Sequence, residues 1–400
     1  MKIEKIEVLM CDAGWRPWVF VKMTTNQGLV GYSEITDSNG SPHGMAGVVR
    51  DLTPLLLGRD PREWLKRSEE MHMATRQSPG GIVHKAISGC VNAMLDIVGK
   101  HYNLPVYALF GGPIRKKFVV YWSHFGTTRV RAHEVVGVKA VRKWSDFYDL
   151  LCTASEWGFL AIKCNVLQLR GNSPSVYMPG FGRTSGGPAL NLENQTLDSI
   201  RDLANTFCTM RKEFKGTTPQ LIIDLNFNFK PEGFKKIARI LSCDGSFSPL
   251  WLELDCYDSS ALLEVKNSTT IPICSGENLY GLRQYSPFLA RRAMDIASVD
   301  ILWNGLPESL SIAKMAELHE INVAPHNFNS ALGDAIAAHF CALVPNLRMC
   351  EYDMDDVPWK YELVSHSHKV ESGSMTCSGD PGWGVTFNEN ILQEHPWPKV

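Results

Sequence analysis

Three short apolar runs in the middle of the chain each end in a carboxylate: LIID at Asp224, LWLE at Glu253 and IPICSGE at Glu277. A run of four or five apolar residues is the pattern of a strand buried on both faces, most simply in a parallel sheet. Helical patterns separate the runs, at Pro231–Ser242 and from about Ser260 to Asn267. The same strand, loop and helix alternation extends from about Phe118, with strands ending near Trp122, Cys164, Asp224, Glu253, Ser275, Val299, Ala324 and Cys350. Further helices are predicted at Ser145–Trp157 (Ser145 as N-cap), Leu197–Lys215, Gly281–Ala293, Pro307–Glu320 and Ala331–Val344. Eight such units close most naturally into a parallel barrel, an α/β fold whose active residues sit on the C-terminal rim of the strands.

Ahead of the barrel the pattern differs. Val19–Thr24 and Leu29–Glu34 alternate like strands of a hairpin around a turn that ends at Gly28. Asp12–Trp18 is aromatic and basic and is expected outside the core, and the turn-rich stretch Thr36–Gly44 is expected to be a mobile loop. Lys85–Lys100 carries Ile87, Val91, Met94, Leu95 and Val98 at helical spacing. One loop stands out inside the barrel region: Val166 to Gln195 is rich in Gly, Pro and Ser and shows no helix of its own. Loops of that length in a compact domain are usually functional. The predicted organisation is a capping domain at 1–115 with loops near 12–18 and 36–44, a barrel at 116–358, and a segment at 359–400 returning to the cap.

Composition narrows the class. With 44% hydrophobic and 20% charged residues, the chain has the balance of a soluble globular protein. A net charge of −2 without a basic run argues against nucleic acid or an anionic membrane as partner. No stretch is read as a membrane span. The start MKIEKIEVLM passes directly into strand alternation, so no cleavable leader is expected. The eleven cysteines form no CxxC pair, and several lie in apolar runs, which points to reduced, structural thiols in the cytoplasm.

Candidate chemistry begins with the three acids. Side by side on one rim they repel each other unless a cation lies between them, and three oxygen donors suit a hard divalent ion such as Mg2+, with Mn2+ as the alternative.

The order and spacing of several short motifs resemble the enolase superfamily, in its mandelate racemase-like branch of acid-sugar dehydratases and racemases. They are Gly28–Glu34, Ala93–Lys100, Pro105 followed by Gly111-Gly112, Ala161-Ile162-Lys163, Ile223-Asp224-Leu225-Asn226, Trp251-Leu252-Glu253, Gly276-Glu277-Asn278 and Val323–Asn327. The resemblance implies a modified (β/α)7β barrel under an N-terminal α+β cap. It also implies Asp224, Glu253 and Glu277 as metal ligands, Lys163 as a cation beside the substrate oxygens, and an Asp300–His326 dyad. Glu351 would hydrogen-bond or protonate the carboxylate-derived oxygen. A homo-oligomer is expected.

The implied common step removes a proton α to a carboxylate, and the resulting enediolate needs preorganised positive charge. His326 is the candidate base, with Asp300 orienting its ring. The sequence departs from the family's Lys-x-Lys pattern at Asn165, whose side chain shares a strand face with Lys163. An amide cannot take up a proton at neutral pH, which leaves one face of the α carbon without a second base. The consistent reaction is loss of water from a 2,3-dihydroxy acid, His326 removing the C2 proton and being able to return it to the departing 3-hydroxyl. The product would be a 2-keto-3-deoxy acid. Substrate contacts are expected from Asn165, Asn226, His124, Trp15, Arg16, His43, Arg170, Tyr177 and Arg183, with an aldonate preferred over an aldarate. A racemase, epimerase or cycloisomerase using Lys163 as second base is the nearer alternative. A non-catalytic binding protein is the remote one.

Overall fold

The computed structural model describes residues 1–37, 41–169, 174–177, 193–213, 218–242, 248–365 and 370–397. Its N-terminal part is an antiparallel sheet of β1 (Ile3–Asp12), β2 (Pro17–Thr25) and β3 (Val30–Glu34) in the order β1-β2-β3. Three helices pack on it: α1 (Pro42–Leu56), α2 (Trp64–Ala74) and α3 (Gly81–Tyr102). Gly31 is required at the contact between sheet and α3, because a Cβ there would lie 2.2 Å from the Ala93 carbonyl oxygen. By length and composition α3 could cross a membrane, yet 83% of its apolar window is buried inside the protein. It ends on Asn103, whose left-handed φ of 54° lets its N–H reach back to the Gly99 and Lys100 carbonyls.

Two expectations about the cap are corrected here. Arg16 and Trp18 lie in the core rather than outside it, each fully buried, and Pro17 already opens β2. Pro42–Gly44 are the first turn of α1 rather than loop, capped by Ser41, whose hydroxyl accepts the Gly44 N–H at 3.1 Å. Ser38–Gly40 lie outside the described residues.

The larger part is the parallel barrel, formed by β4 (Lys117–Trp122), β5 (Ala161–Cys164), β8 (Gln220–Asp224), β9 (Leu252–Glu253), β10 (Ile273–Ser275), β11 (Ile296–Ala297), β12 (Asn322–Val323) and β13 (Cys350–Tyr352). They neighbour one another in that order, β13 returning to β4, and a Val323–Leu347 bridge closes the ring. The long insertion after β5 is not structureless: β6 (Val166–Gln168) and β7 (Ser175–Tyr177) form a small antiparallel hairpin, and a helix begins at Glu193. The first barrel helix begins at Trp144 with Lys143 at the cap, so Ser145 is inside it rather than capping it.

The barrel interior is filled by a separate apolar cluster including Tyr121, Ala161, Ile222, Trp251, Ala324 and Met349. Side chains two residues apart on a strand face the same way. The residues two places further on are Ser123, Lys163, Asp224, Glu253, His326 and Glu351. The apolar plug therefore sits beneath a polar layer on the C-terminal rim.

The C-terminal segment contacts the cap. Asp96 on α3 accepts the Trp383 backbone N–H at 3.0 Å, Trp383 donates its indole N–H to the Tyr32 carbonyl, and Tyr32 donates its hydroxyl to Glu389 at 2.5 Å. The short strand β14 (Ser374–Thr376) pairs antiparallel with β4. None of the ten described cysteines forms a disulfide.

Candidate active site

Lys163, on β5, is buried among three acids. Its ammonium lies 2.6 Å from Glu253, 2.7 Å from Glu351 and 3.5 Å from Asp224. Burial works against its charge, but Glu253 and Glu351 outweigh it and hold the ammonium protonated well above its ordinary range. In turn, burial raises Glu351, but Lys163 and His326 reverse this and keep its carboxyl below the usual range. Glu351 is held further by the Ser123 hydroxyl and by the Asn327 N–H at 2.8 Å.

Asp224 and Glu253 are register partners at the ends of β8 and β9. Glu277 follows β10 and reaches within 3.6 Å of the His326 Nε2. Burial pushes Glu253 up, Asp224 and Glu351 adding to it against the pull of Lys163. Burial likewise raises Glu277, with further repulsion from Asp255, Asp224 and Glu253. These acids carry more negative charge than the neighbouring cations balance.

Among the described residues, no three acidic, histidine or cysteine side chains are drawn into a preformed metal cage. Lys163 instead bridges Asp224 and Glu253. The donor set still fits a hard divalent ion: Asp224, Glu253 and Glu277 are all less than 10% exposed, offer only oxygen, and are destabilised by mutual repulsion that such an ion removes.

On the neighbouring strands, His326 follows β12 and its Nδ1 lies 2.8 Å from Asp300 Oδ2. The other Asp300 oxygen accepts the Leu302 and Trp303 N–H groups at 2.8 and 2.9 Å, which fixes the carboxylate and so the ring. Burial lowers the imidazole, but Glu277 and Asp300 dominate and raise it above its ordinary range. Trp303 and Phe328 flank the ring at 5.2 and 5.0 Å.

The remaining candidates separate into two groups. Asn165 is buried on the rim and donates to the Asn226 side-chain oxygen at 3.0 Å, while the Asn226 N–H donates to Asp224 at 2.9 Å. Asn226 adopts a φ of 48° to do so. His124 follows β4, with its Nδ1 3.0 Å from both Asp353 oxygens. Trp15 covers this side of the rim, its ring 6.1 Å from His124 and 6.0 Å from Phe328.

Arg16 is not at an open mouth. It is enclosed by Asp356 at 2.8 Å and the Phe328 carbonyl at 2.5 Å, tying cap to barrel. His43 is exposed on the first turn of α1, and Tyr177 stands on the hairpin, 5.6 Å from the Phe229 ring. Arg170 and Arg183 lie outside the described residues.

Sequence reasoning passed over Ser123, Asp353, Asp255 and the two rings beside His326. Asp353 and Asp255 each fall two residues after a rim acid, and that spacing could have pointed to them.

A capped barrel with its polar layer on the C-terminal rim is the architecture of the enolase superfamily. Within it the chain belongs to the mandelate racemase/muconate lactonizing enzyme family: residues 5–111 match that family's N-terminal domain and residues 153–391 match the enolase C-terminal domain-like model. The chain is 26% identical to a D-xylonate dehydratase of Haloferax volcanii, over 98% of this chain and 89% of that protein. It is 25% identical to a D-mannonate dehydratase of Sphingomonas sp. strain SKA58, over 100% and 96% of the two chains. It also resembles a solved structure from Burkholderia xenovorans strain LB400, provisionally assigned as an L-alanine-DL-glutamate epimerase and bound to magnesium and fumarate. That match has a TM-score of 0.92 and 38% identity, covering 100% of this chain and 97% of that one.

Proposed function

We propose that this chain is a Mg2+-dependent acid-sugar dehydratase that removes the C2 proton of a 2,3-dihydroxy acid and expels the 3-hydroxyl. The observation that carries this reading is the pairing of His326 with Asp300 at 2.8 Å on a rim where Asn165 stands in place of a second base. Dehydratase relatives aligned over nearly the whole chain support it. The proposed organisation is a cap at 1–115, a barrel at 116–358 and a return segment at 359–400.

In this mechanism Asp224, Glu253 and Glu277 would hold Mg2+, which supplies Lewis-acid charge beside the substrate carboxylate when bound. Lys163 adds a fixed cation on the same side, kept protonated by its acids. Asp300 holds the His326 ring so that Nε2 faces the site. The Glu277 carboxylate that raises the imidazole would be engaged as a metal ligand, and the neutral ring takes the C2 proton at that nitrogen. Glu351, ionised and accepting from the Ser123 hydroxyl and the Asn327 N–H, holds the Lys163 ammonium in place beside the developing enediolate oxygen. Asn165 and Asn226 offer amide contacts to substrate hydroxyls. The product enol tautomerises to a 2-keto-3-deoxy acid. The aldonate relatives make an aldonate the first substrate to try and an aldarate the second.

The 38% identity to the chain provisionally assigned as an epimerase gives the second reading, one-carbon epimerisation in which Lys163, held protonated by its acids, would deliver the proton on the face opposite His326. One experiment separates the two. Purified protein with Mg2+ is screened against C5 and C6 aldonates and aldarates in D2O, scoring 2-keto-3-deoxy product and C2 deuterium by NMR. Product formation supports dehydration; deuterium in recovered, epimerised substrate without water loss supports epimerisation. Silence across the panel counts against both.

A further inference from the structure

A second histidine–carboxylate pair stands beside the first. His124 leaves the end of β4 and Asp353 the end of the adjacent β13, just as Asp300 and His326 leave adjacent strands. The His124 Nδ1 is 3.0 Å from each Asp353 oxygen, so its N–H donates to that carboxylate and Nε2 is turned away from it. Asp353 is 2% exposed, and although burial opposes its charge, His124 and Arg16 keep the carboxyl below its ordinary range. It is an ionised partner of the kind that orients a catalytic imidazole.

Three further observations place His124 in the same pocket as His326. An unbroken wall of rings joins them, His326 to Phe328 at 5.0 Å, Phe328 to Trp15 at 6.0 Å and Trp15 to His124 at 6.1 Å. Both imidazoles act electrostatically on Glu351, which lies between the two pairs on the rim. The His124 side chain retains 14% exposure, so the pocket can reach it. Its backbone φ of 46° is in the left-handed region, which histidine adopts more readily than most side chains.

We infer that His124, oriented by Asp353, is the general acid that protonates the departing 3-hydroxyl. This rests on the dehydratase reading of the site. It replaces a single-histidine route, in which His326 would hand on at C3 the proton it had just taken at C2. In the step, His326 Nε2 takes the C2 proton and the freed electron pair forms the C2–C3 double bond. The C3–O bond breaks with its pair moving to oxygen, and that oxygen takes the proton from His124 Nε2 and leaves as water. His124 ends neutral and is reprotonated by solvent, His326 returns its proton to solvent, and the enol tautomerises. Hydroxide is a poor leaving group, and a positioned acid is worth about 10²–10⁴ in rate. The Trp15 indole N–H, buried and without a hydrogen-bond partner among the described residues, is a donor available to the same oxygen.

The test compares two leaving groups. On the sugar acid that the wild type dehydrates, His124→Gln should lower kcat by about 10²–10⁴-fold. On the 3-deoxy-3-fluoro analogue, whose fluoride needs no proton, the same variant should stay within about threefold of wild type. Exchange of the C2 proton with D2O should survive in His124→Gln and vanish in His326→Asn. Asp353→Asn should show the same leaving-group selectivity with a smaller loss, and turnover of the fluoro analogue certifies that each variant is folded. Equal losses on both substrates, or an unimpaired His124→Gln on the hydroxy acid, overturn the assignment and leave the dehydratase reading standing. A wild type that epimerises without losing water, or is silent toward every acid tried, overturns both.

Discussion

The Lys163 ammonium lies 2.6 Å from the Glu253 carboxylate at a depth where neither side chain is more than 4% exposed. A buried pair of this kind adds little net stability, but removing one member leaves an uncompensated charge in a low dielectric. Here Glu351 and Asp224 would lose the same cation. Lys163→Met should therefore cost roughly 3–5 kcal/mol in urea denaturation of the metal-free protein. Added Mg2+ should recover part of that loss while turnover stays down by about 10²-fold or more. A variant as stable as wild type without metal would show that the acids are neutralised in some other way.

Asp300 performs two tasks with its two oxygens, and a single substitution separates them. Asn at this position keeps an acceptor for the Leu302 and Trp303 N–H groups, so the local turn should hold. It removes the negative charge facing His326 Nδ1. Asp300→Asn should leave the denaturation midpoint within about 1 kcal/mol of wild type and lower kcat by about 10²–10⁴. Loss of stability without loss of kcat would make Asp300 structural only.

The acids most exposed to mutual repulsion should respond to the metal directly. Chelation should abolish turnover and lower the melting temperature, and Mg2+ at a hundred times its Kd should return about 2.7 kcal/mol. Asp224→Asn should lose most of that metal-dependent stabilisation while keeping the same circular dichroism spectrum. A Mg2+-induced melting shift that is the same in wild type and Asp224→Asn would place the ion elsewhere.

How much of this was legible beforehand follows from the strand period. Ala161, Ile222, Trp251, Ala324 and Met349 fill the barrel, and their neighbours two places on are Lys163, Asp224, Glu253, His326 and Glu351. An apolar run ending in a charged residue carries that arrangement in a single stretch of sequence. Contacts across the chain are different. Arg16 and Asp356 are 340 residues apart, and an arginine among tryptophans has the composition of a surface loop until its partner is known. His124 and Asp353 are separated by 229 residues and meet only because the barrel closes β13 against β4. Loops such as 36–44 fail for a local reason: Ser41-Pro42 carries both a turn signal and a helix start, and tertiary packing of α1 decides between them.

Arg16 supplies a test of the cap–barrel tie. Its guanidinium meets Asp356 and the Phe328 carbonyl with no exposure to solvent. Arg16→Met should cost roughly 3–5 kcal/mol of stability, because Asp356 then keeps only Lys360, at 4.0 Å, as a neighbouring cation. If the arginine only ties the two parts together, KM for the identified substrate should change by less than about threefold under conditions where the variant is folded. A large rise in KM at unchanged stability would return Arg16 to the substrate-binding residues.

Glu34 makes the pH dependence of the same interface predictable. Its carboxylate is buried at the start of the helix Ala331–Leu343, accepting hydrogen bonds from the Ser330 hydroxyl at 2.5 Å and the Gly333 N–H at 3.1 Å. Burial outweighs these donors and pushes its carboxyl from 4.5 up to about 7. Between those values the folded protein binds more protons than the unfolded chain, so the slope of unfolding free energy with pH is negative. The contribution of Glu34 is complete below about pH 4.5 and is lost as pH rises through about 7. A shift of this size corresponds to about 3 kcal/mol across the window. Glu34→Gln stays neutral at every pH and should flatten the stability profile between pH 4.5 and 7, with the difference from wild type largest above pH 7. Urea denaturation of both proteins at half-unit pH steps reads the difference directly, and parallel profiles would mean that the helix start keeps Glu34 ionised throughout.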